Sequence, residues 1–273
     1  MQAQNQDAIP ALTIAGSDCS GGAGIQADLK TFGAHNVFGM SIVLSVVAEN
    51  TARVISSFDV PTTIIDEQFM AVFEDIPPKA SKIGMLGSRE IIECVAHNLA
   101  TYKPQNLVID PVMFAKNGFP LMPESIRALF KEKILHFADV LTPNIPEAQE
   151  LCGFAIHTLE DMQEAARSLH ALGAKVVLLK GGHRDEDCSD VVFDGREFCV
   201  LPAPRIDTKN THGTGCTLSS AIAANLALGK SPLDSIKAAK EYVFNAILYA
   251  LNLGKGNGPT NHFHNITRGL AKL

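Results

Sequence analysis

The run Asn210-Thr-His-Gly-Thr-Gly-Cys216-Thr217, followed at once by small residues from Leu218 onward, is the segment of this chain best suited to chemistry. A Gly-x-Gly turn that opens a helix aims free backbone N–H groups, and the positive end of the helix dipole, at whatever lies in front of it, which suits phosphate. It is not a dinucleotide fingerprint, because Leu218 stands in the place of the third glycine. Gly229-Lys230-Ser231 imitates the end of a P-loop, but Ala224 stands where that motif needs its first glycine. A second glycine segment, Gly16-Ser-Asp-Cys-Ser-Gly21-Gly22-Ala-Gly24, leads into a stretch carrying Asp28. Single polar residues close three further apolar runs: Asp110 before Pro111, Asn144 with Glu147 in Thr142-Pro-Asn-Ile-Pro-Glu147, and Lys180 before Gly181. Each has a plain structural use, Asp110 in a turn and Glu147 as a first-turn carboxylate. Together with an anion loop they describe a metal-nucleotide site, since Mg2+ takes a few carboxylate or water oxygens alongside phosphate. His183, His212, His262 and His264 show no ligand spacing, and no metal role is expected of them.

Such residues must be carried to one place. Short apolar runs at 11–15, 41–47, 82–84, 107–110, 140–142 and 176–180 alternate with helical segments, the pattern of βαβ units around a mainly parallel sheet. In an open sheet of that kind ligands bind beyond the carboxyl ends of the strands, where these polar residues lie. Over 158–172, Leu159, Met162, Ala166, Leu169 and Leu172 share one helical face, with Gly173 as the stop. Thr158-x-x-Asp161, Thr63-x-x-Asp66 and Ser231-Pro232-x-Asp234 read as helix starts. Residues 190–201 read as an edge hairpin around Asp194-Gly195, followed by helices over 214–228 and 232–251. No repeat, linker or low-complexity tract interrupts the pattern, so one domain over 11–264 is expected, between a flexible 1–10 and a tail at 265–273.

Composition narrows the partners. Of 273 residues 46% are hydrophobic, and 23 Lys plus Arg against 29 Asp plus Glu leave a net charge of −6 with no basic cluster, which argues against nucleic acid. No stretch approaches the ~20 apolar residues of a membrane span. A polar N-terminus without a secretory pattern makes the cytoplasm the expected location. Six cysteines without a CxxC pair fit neither a disulfide framework nor a zinc cluster. The expected partner is a small molecule, and the sequence leaves room for a homo-oligomer. A nicotinamide-dependent oxidoreductase would need a complete fingerprint near the first strand and an acidic residue about 20 positions on, which neither glycine loop supplies.

Seven segments, in order, resemble the hydroxymethylpyrimidine/phosphomethylpyrimidine kinase family of thiamine biosynthesis: Ala11-Leu-Thr-Ile-Ala-Gly-Ser-Asp18, Ser20-Gly-Gly-Ala-Gly-Ile-Gln-Ala-Asp28, Lys82-Ile-Gly-Met-Leu86, Asp110-Pro-Val-Met113, Thr142-Pro-Asn-Ile-Pro-Glu147, Lys180-Gly-Gly-His183 and Asn210 to Thr217. The resemblance spans 12–264 and implies a ribokinase-like α/β fold: a single-domain three-layer sandwich, its mostly parallel central sheet flanked by helices on both faces, with a small edge hairpin. It implies ATP and Mg2+ at the strand ends and a pyrimidine alcohol, or its monophosphate, as acceptor. By this resemblance Gly213, Thr214 and Gly215 form the anion hole, and Cys216 stands where the wider superfamily has an aspartate base. A helix N-terminus lowers a thiol pKa, which would make Cys216 a ready proton acceptor. Lys180, Asn144 and Thr214 would meet ATP, and Asp110 and Glu147 would belong to the magnesium site. Gly16, Asp28, Glu49, Met85 and Val112 would border the pyrimidine; separately, the place of Lys116-Asn-Gly118 in the loop after Asp110 makes it the candidate for a mobile cover. Glu49 departs from the family's usual Gln, whose amide both donates and accepts. The competing acceptor is vitamin B6, through the related pyridoxal kinases. A catalytically silent regulator is disfavoured, because every expected catalytic position is filled.

Overall fold

The computed structural model describes residues 7–115, 118–182 and 188–266. Lys116 and Asn117 of the expected cover, His183, and residues 1–6 and 267–273 lie outside them. Strand β1 (Pro10–Ala15) is buried on both faces, with Ala11 toward one helical layer and Leu12 and Ile14 toward the other. That is the composition of a strand covered on both sides. It pairs in parallel with β2 (Phe38–Val43) and β5 (Ala80–Ile83). Beyond β5 the sheet continues in parallel through β6 (Leu107–Ile109), β7 (Val140–Leu141) and β8 (Val176–Leu179). It ends in the antiparallel hairpin β9 (Asp190–Phe193) and β10 (Phe198–Leu201), whose turn places Gly195 at a φ of 89°. The order β10-β9-β8-β7-β6-β5-β1-β2 reverses direction between β1 and β5. Such a reversal opens a crevice beyond the carboxyl ends of those two strands.

Helices α2 (Thr62–Asp75), α3 (Arg89–Tyr102), α4 (Glu124–Lys133), α5 (Ile145–Cys152) and α6 (Leu159–Ala171) bury one face of the sheet around Phe69, Ile92, Phe130 and Met162. Helices α1 (Gly24–Ala34), α7 (Thr214–Ala227) and α8 (Pro232–Leu248) bury the other around Phe32, Ile222 and Val243. The result is the expected three-layer α/β sandwich with an edge hairpin. Every residue of α7 from Thr217 to Leu226 is buried, and its small side chains let it lie against β1, β5 and β6. At α6, Thr158 accepts from the Asp161 N–H at 3.1 Å and Asp161 accepts from the Thr158 N–H at 2.9 Å, the reciprocal capping its sequence predicts.

Three expectations fail. Residues 41–47 do not form one strand: β2 ends at Val43, the Leu44 N–H donates to the Ala15 carbonyl at 3.0 Å, and β3 (Ser45–Glu49) leaves the main sheet to pair antiparallel with β4 (Val54–Asp59). The apolar pattern runs on without a break, so periodicity cannot mark a change of partner. Asp66 does not cap α2, which starts at Thr62 behind Pro61; its carboxylate accepts from Asn98 Nδ2 at 2.6 Å and Cys94 Sγ at 3.2 Å. Helix α8 also stops at Leu248, short of 251. Among the described residues no helix is long and apolar enough to cross a membrane.

Candidate active site

The crevice begins at Gly16, immediately after β1. A Cβ there would lie 2.7 Å from Met85 Cε, so the glycine lets Met85, just beyond β5, close against the end of β1. The Gly84 N–H donates to the Ile14 carbonyl at 3.0 Å, which fixes that approach. On the β2 side, the Ser17 N–H donates to the Ser45 carbonyl at 2.8 Å and Ser17 Oγ accepts from the Val47 N–H at 3.2 Å. These bonds hold β3, with Glu49 at its end, over the crevice.

Asp18 organises the loop between β1 and α1. One of its oxygens accepts from the Ser20 N–H at 2.7 Å, and the other from the N–H groups of Gly22 and Ala23 at 3.1 and 2.8 Å. That second oxygen also lies 2.8 Å from His212 Nε2, in a residue 194 positions away. Burial pushes the Asp18 carboxyl up, but the bonds to His212, Ser20 and Ala23 outweigh it and hold the group well below the usual carboxylate range. The two glycine loops meet backbone to backbone: Gly213 has a φ of 76°, and a Cβ on it would overlap the Gly22 carbonyl.

Gly213 caps α7; the Thr214 N–H donates to the Thr211 carbonyl at 3.3 Å, and Gly215 stands in the open first turn of a long buried helix. The groups in front of it are the strand-end residues. A Cβ on Gly215 would lie 3.2 Å from Asp110 Oδ2 and 3.7 Å from Lys180 Nζ. Lys180 Nζ donates to Asp110 Oδ1 at 2.9 Å, and Thr142 Oγ1 donates to the same oxygen at 3.2 Å. Asn144 Oδ1 accepts from the Glu147 N–H at 2.9 Å while Glu147 Oε2 accepts from the Asn144 N–H at 2.8 Å, which fixes the buried Glu147 carboxyl at the start of α5. Burial pushes Glu147 up to about 7; the Lys180 ammonium opposes this and the Asp110 charge reinforces it. Asp110 and Glu147 in turn hold Lys180 above its ordinary value against the cost of burial. Two crowded carboxyl groups beside an anion loop form an all-oxygen donor set, the kind a hard divalent cation takes.

The structure corrects two expectations about individual residues. Cys216 is not a ready thiolate. Burial pushes its thiol up to about 11; Lys82 pulls it down, but Asp28 and Asp110 push it further up. Asp28 does not line the crevice: it is fully buried, accepting from Thr13 Oγ1 and Ser220 Oγ at 2.6 Å each and from Lys82 Nζ at 2.9 and 3.1 Å. Ser220 lies one helical turn beyond Cys216, so the Asp28–Lys82 pair sits beneath the start of α7. Burial opposes the Lys82 charge, yet Asp28, Cys216 and Asp110 hold it above the ordinary lysine value. Val112 follows Asp110 and is half-buried, its N–H donating to the Asp110 carbonyl at 2.8 Å.

The roles of Asp18, His212 and Lys82 escape the sequence reading. An Asp followed by Cys-Ser-Gly-Gly carries a turn-forming signal. A lysine inside a strand and a histidine inside a glycine run carry none.

A sheet of this order, with an anion loop opening α7 and two carboxyls and a lysine at neighbouring strand ends, defines a ribokinase-like small-molecule kinase. The family model described as phosphomethylpyrimidine kinase matches residues 18–261, and the chain belongs to that family. The hydroxymethylpyrimidine/phosphomethylpyrimidine kinase of Haemophilus influenzae is 49% identical over 258 residues, covering 92% of this chain and 96% of its own. The Escherichia coli enzyme of the same name is 45% identical, with 94% and 98% covered. Among solved structures, an ADP complex of Bacillus subtilis pyridoxal kinase superposes with a TM-score of 0.89 at 41% identity over 95% of this chain and 99% of its own. Phosphomethylpyrimidine kinase from Clostridium difficile does so with 0.80 at 45% identity over 88% and 99%.

Proposed function

We propose that the protein transfers the γ-phosphoryl group of ATP to the hydroxymethyl group of 4-amino-5-hydroxymethyl-2-methylpyrimidine, and then phosphorylates the monophosphate again. The observation that carries this reading is the meeting of the Gly213-Thr214-Gly215 helix start with the Asp110–Lys180 pair and Glu147. Phosphoryl transfer asks a protein mainly for positioning and charge stabilisation, because its transition state has little covalent chemistry for side chains to do. The helix start Gly213-Thr214-Gly215 receives the transferring phosphoryl oxygens. Lys180, with Asn144 and Thr214, holds the ATP phosphates. Mg2+, held by Glu147 and Asp110, would offset the charge of the polyphosphate. Gly16, Met85, Val112 and Glu49 frame the pyrimidine, with its hydroxymethyl group toward Cys216. The neutral thiol accepts a hydrogen bond from the hydroxyl and orients it, and the hydroxyl proton passes to an oxygen of the transferred phosphoryl group as the new O–P bond forms.

A second acceptor is favoured by the pyridoxal kinase neighbours, among them the Staphylococcus aureus enzyme in complex with AMP-PCP and pyridoxal at 34% identity. The test is ATP consumption by the purified protein across the pyrimidine, its monophosphate, the vitamin B6 alcohols and a panel of sugar alcohols. The expected result is turnover with both pyrimidines at kcat/KM values above those for vitamin B6. Turnover confined to vitamin B6 or to sugars would overturn the reading.

A further inference from the structure

Asp18, Glu49 and His212 come from three separate segments, and one polar side-chain atom of each lies within 4.8 Å of those of the other two. Asp18 is immobilised by three backbone N–H groups and His212. Glu49 is half-buried, and its main chain is tied down on both sides: its N–H donates to Cys19 Sγ at 3.4 Å and its carbonyl accepts from the Cys19 thiol at 3.0 Å. Among the described residues no group donates to the Glu49 carboxyl. The titratable groups facing it are Asp18 and Cys19 from the β1–α1 loop and His212 from the loop before α7, while Arg53 of its own hairpin turn is exposed. An ionised Glu49 would therefore be a partly desolvated anion beside a second, permanently charged carboxylate.

We propose that Asp18, fixed by His212, makes Glu49 read the aminopyrimidine edge as a neutral acid, in place of the carboxamide usual at this position. Asp18 is thus a positioning residue for substrate choice. An aminopyrimidine presents a ring nitrogen that accepts beside an amino group that donates. A neutral carboxyl matches both, donating through O–H and accepting through C=O, as an amide does; an ionised one matches only the amino group. In vitamin B6 a methyl-bearing carbon separates ring nitrogen from hydroxyl, so that adjacent pair is missing. Burial and the Asp18 charge push the Glu49 carboxyl up to about 7, against the pull of His212, so the neutral form is available at working pH.

This inference deepens the proposed pyrimidine kinase reading and rests on it. The experiment compares wild type, Glu49→Gln and Asp18→Asn by kcat/KM for the pyrimidine at saturating ATP and Mg2+ between pH 5.5 and 8.5. It adds carbon-13 NMR titration of glutamate-labelled protein, and circular dichroism to check the fold of each variant. The substrate's own ionisation is common to all three proteins and cancels in ratios. The ratio of Glu49→Gln to wild type is expected to be level below pH 6 and to climb about tenfold between pH 6 and 8, through KM more than kcat. With vitamin B6 as acceptor the ratio stays level throughout. One carboxyl signal titrating near pH 7 is expected in wild type and absent in Glu49→Gln. In Asp18→Asn it moves to lower pH. A pH-independent ratio, or a Glu49 signal titrating below pH 5, overturns the inference. If no pyrimidine is phosphorylated at all, the functional reading falls instead, and the NMR titration still decides whether Asp18 sets the state of Glu49.

Discussion

At the scale of single residues, Cys216 carries most of the mechanistic weight, and its surroundings set the terms. A thiol pushed up to about 11 supplies almost no thiolate near neutrality, so the rate of phosphoryl transfer should not follow a thiol ionisation between pH 7 and 9. Cys216→Ala is expected to fold and to lose about 10²-fold in single-turnover rate, the scale of a misplaced reacting group. Cys216→Asp should recover part of that. A Cys216→Ala rate within about threefold of wild type would leave the residue a packing group. Alkylation by iodoacetamide, mapped by mass spectrometry, should mark the exposed Cys19 before Cys216. Beneath the same helix start, Lys82→Met leaves Asp28 buried without its cation. Breaking a buried pair in this way costs about 3–5 kcal/mol, which chemical denaturation can read. The double variant Asp28→Asn with Lys82→Met is expected to recover much of the loss, and a loss under 1 kcal/mol for Lys82→Met alone would refute the pair's structural role.

At the scale of elements, the site depends on where helices begin. Gly213→Ala is expected to suffer twice, from its φ of 76° and from overlap with the Gly22 carbonyl, and so to displace the start of α7. Gly153→Ala, at a φ of 81° with open space around it, carries the backbone strain alone, about 1–2 kcal/mol. Turnover should collapse in the first and persist in the second; equal turnover in both would show that the contact between glycine loops is unimportant. Much of this was legible in the chain. Asp110, Asn144 and Lys180 each close an apolar run, with Glu147 in the helical turn after Asn144, and parallel strands bring their carboxyl ends to one rim. The starts of α6 and α8 were legible because Thr158 and Ser231 carry a local hydrogen-bonding pattern. What local pattern cannot encode is a partner far away in sequence. The departure of β3 from the sheet, the Asp18–His212 contact and the Lys82–Asp28 pair all depend on such partners, and Asp28, adjacent in sequence to a glycine loop, reads as a pocket residue until the fold turns it inward.

At the scale of the whole molecule, ligand binding should show as stability. A saturating ligand at a hundredfold excess over its Kd stabilises by about 2.7 kcal/mol, roughly 5–10 °C in Tm for a domain near this size. ATP with Mg2+ is expected to produce such a shift. In Glu147→Gln the part of the shift that requires Mg2+ should disappear while the part given by ATP alone remains. An undiminished shift at limiting Mg2+ would remove Glu147 from the metal site. The position of α7 has a separate consequence, for how the chain is made. This helix lies against β1, β5 and β6, strands complete by residue 109, yet it begins only at residue 214. A nascent chain leaving the ribosome therefore carries the α7 side of β5 and β6 uncovered, with Asp28 and Lys82 lacking the Ser220 hydroxyl, until most of the protein has been synthesised. Late closure of contacts so distant in sequence is slow and exposes apolar surface. Chains truncated before α7 should consequently aggregate or engage chaperones, and could not persist as smaller stable kinases.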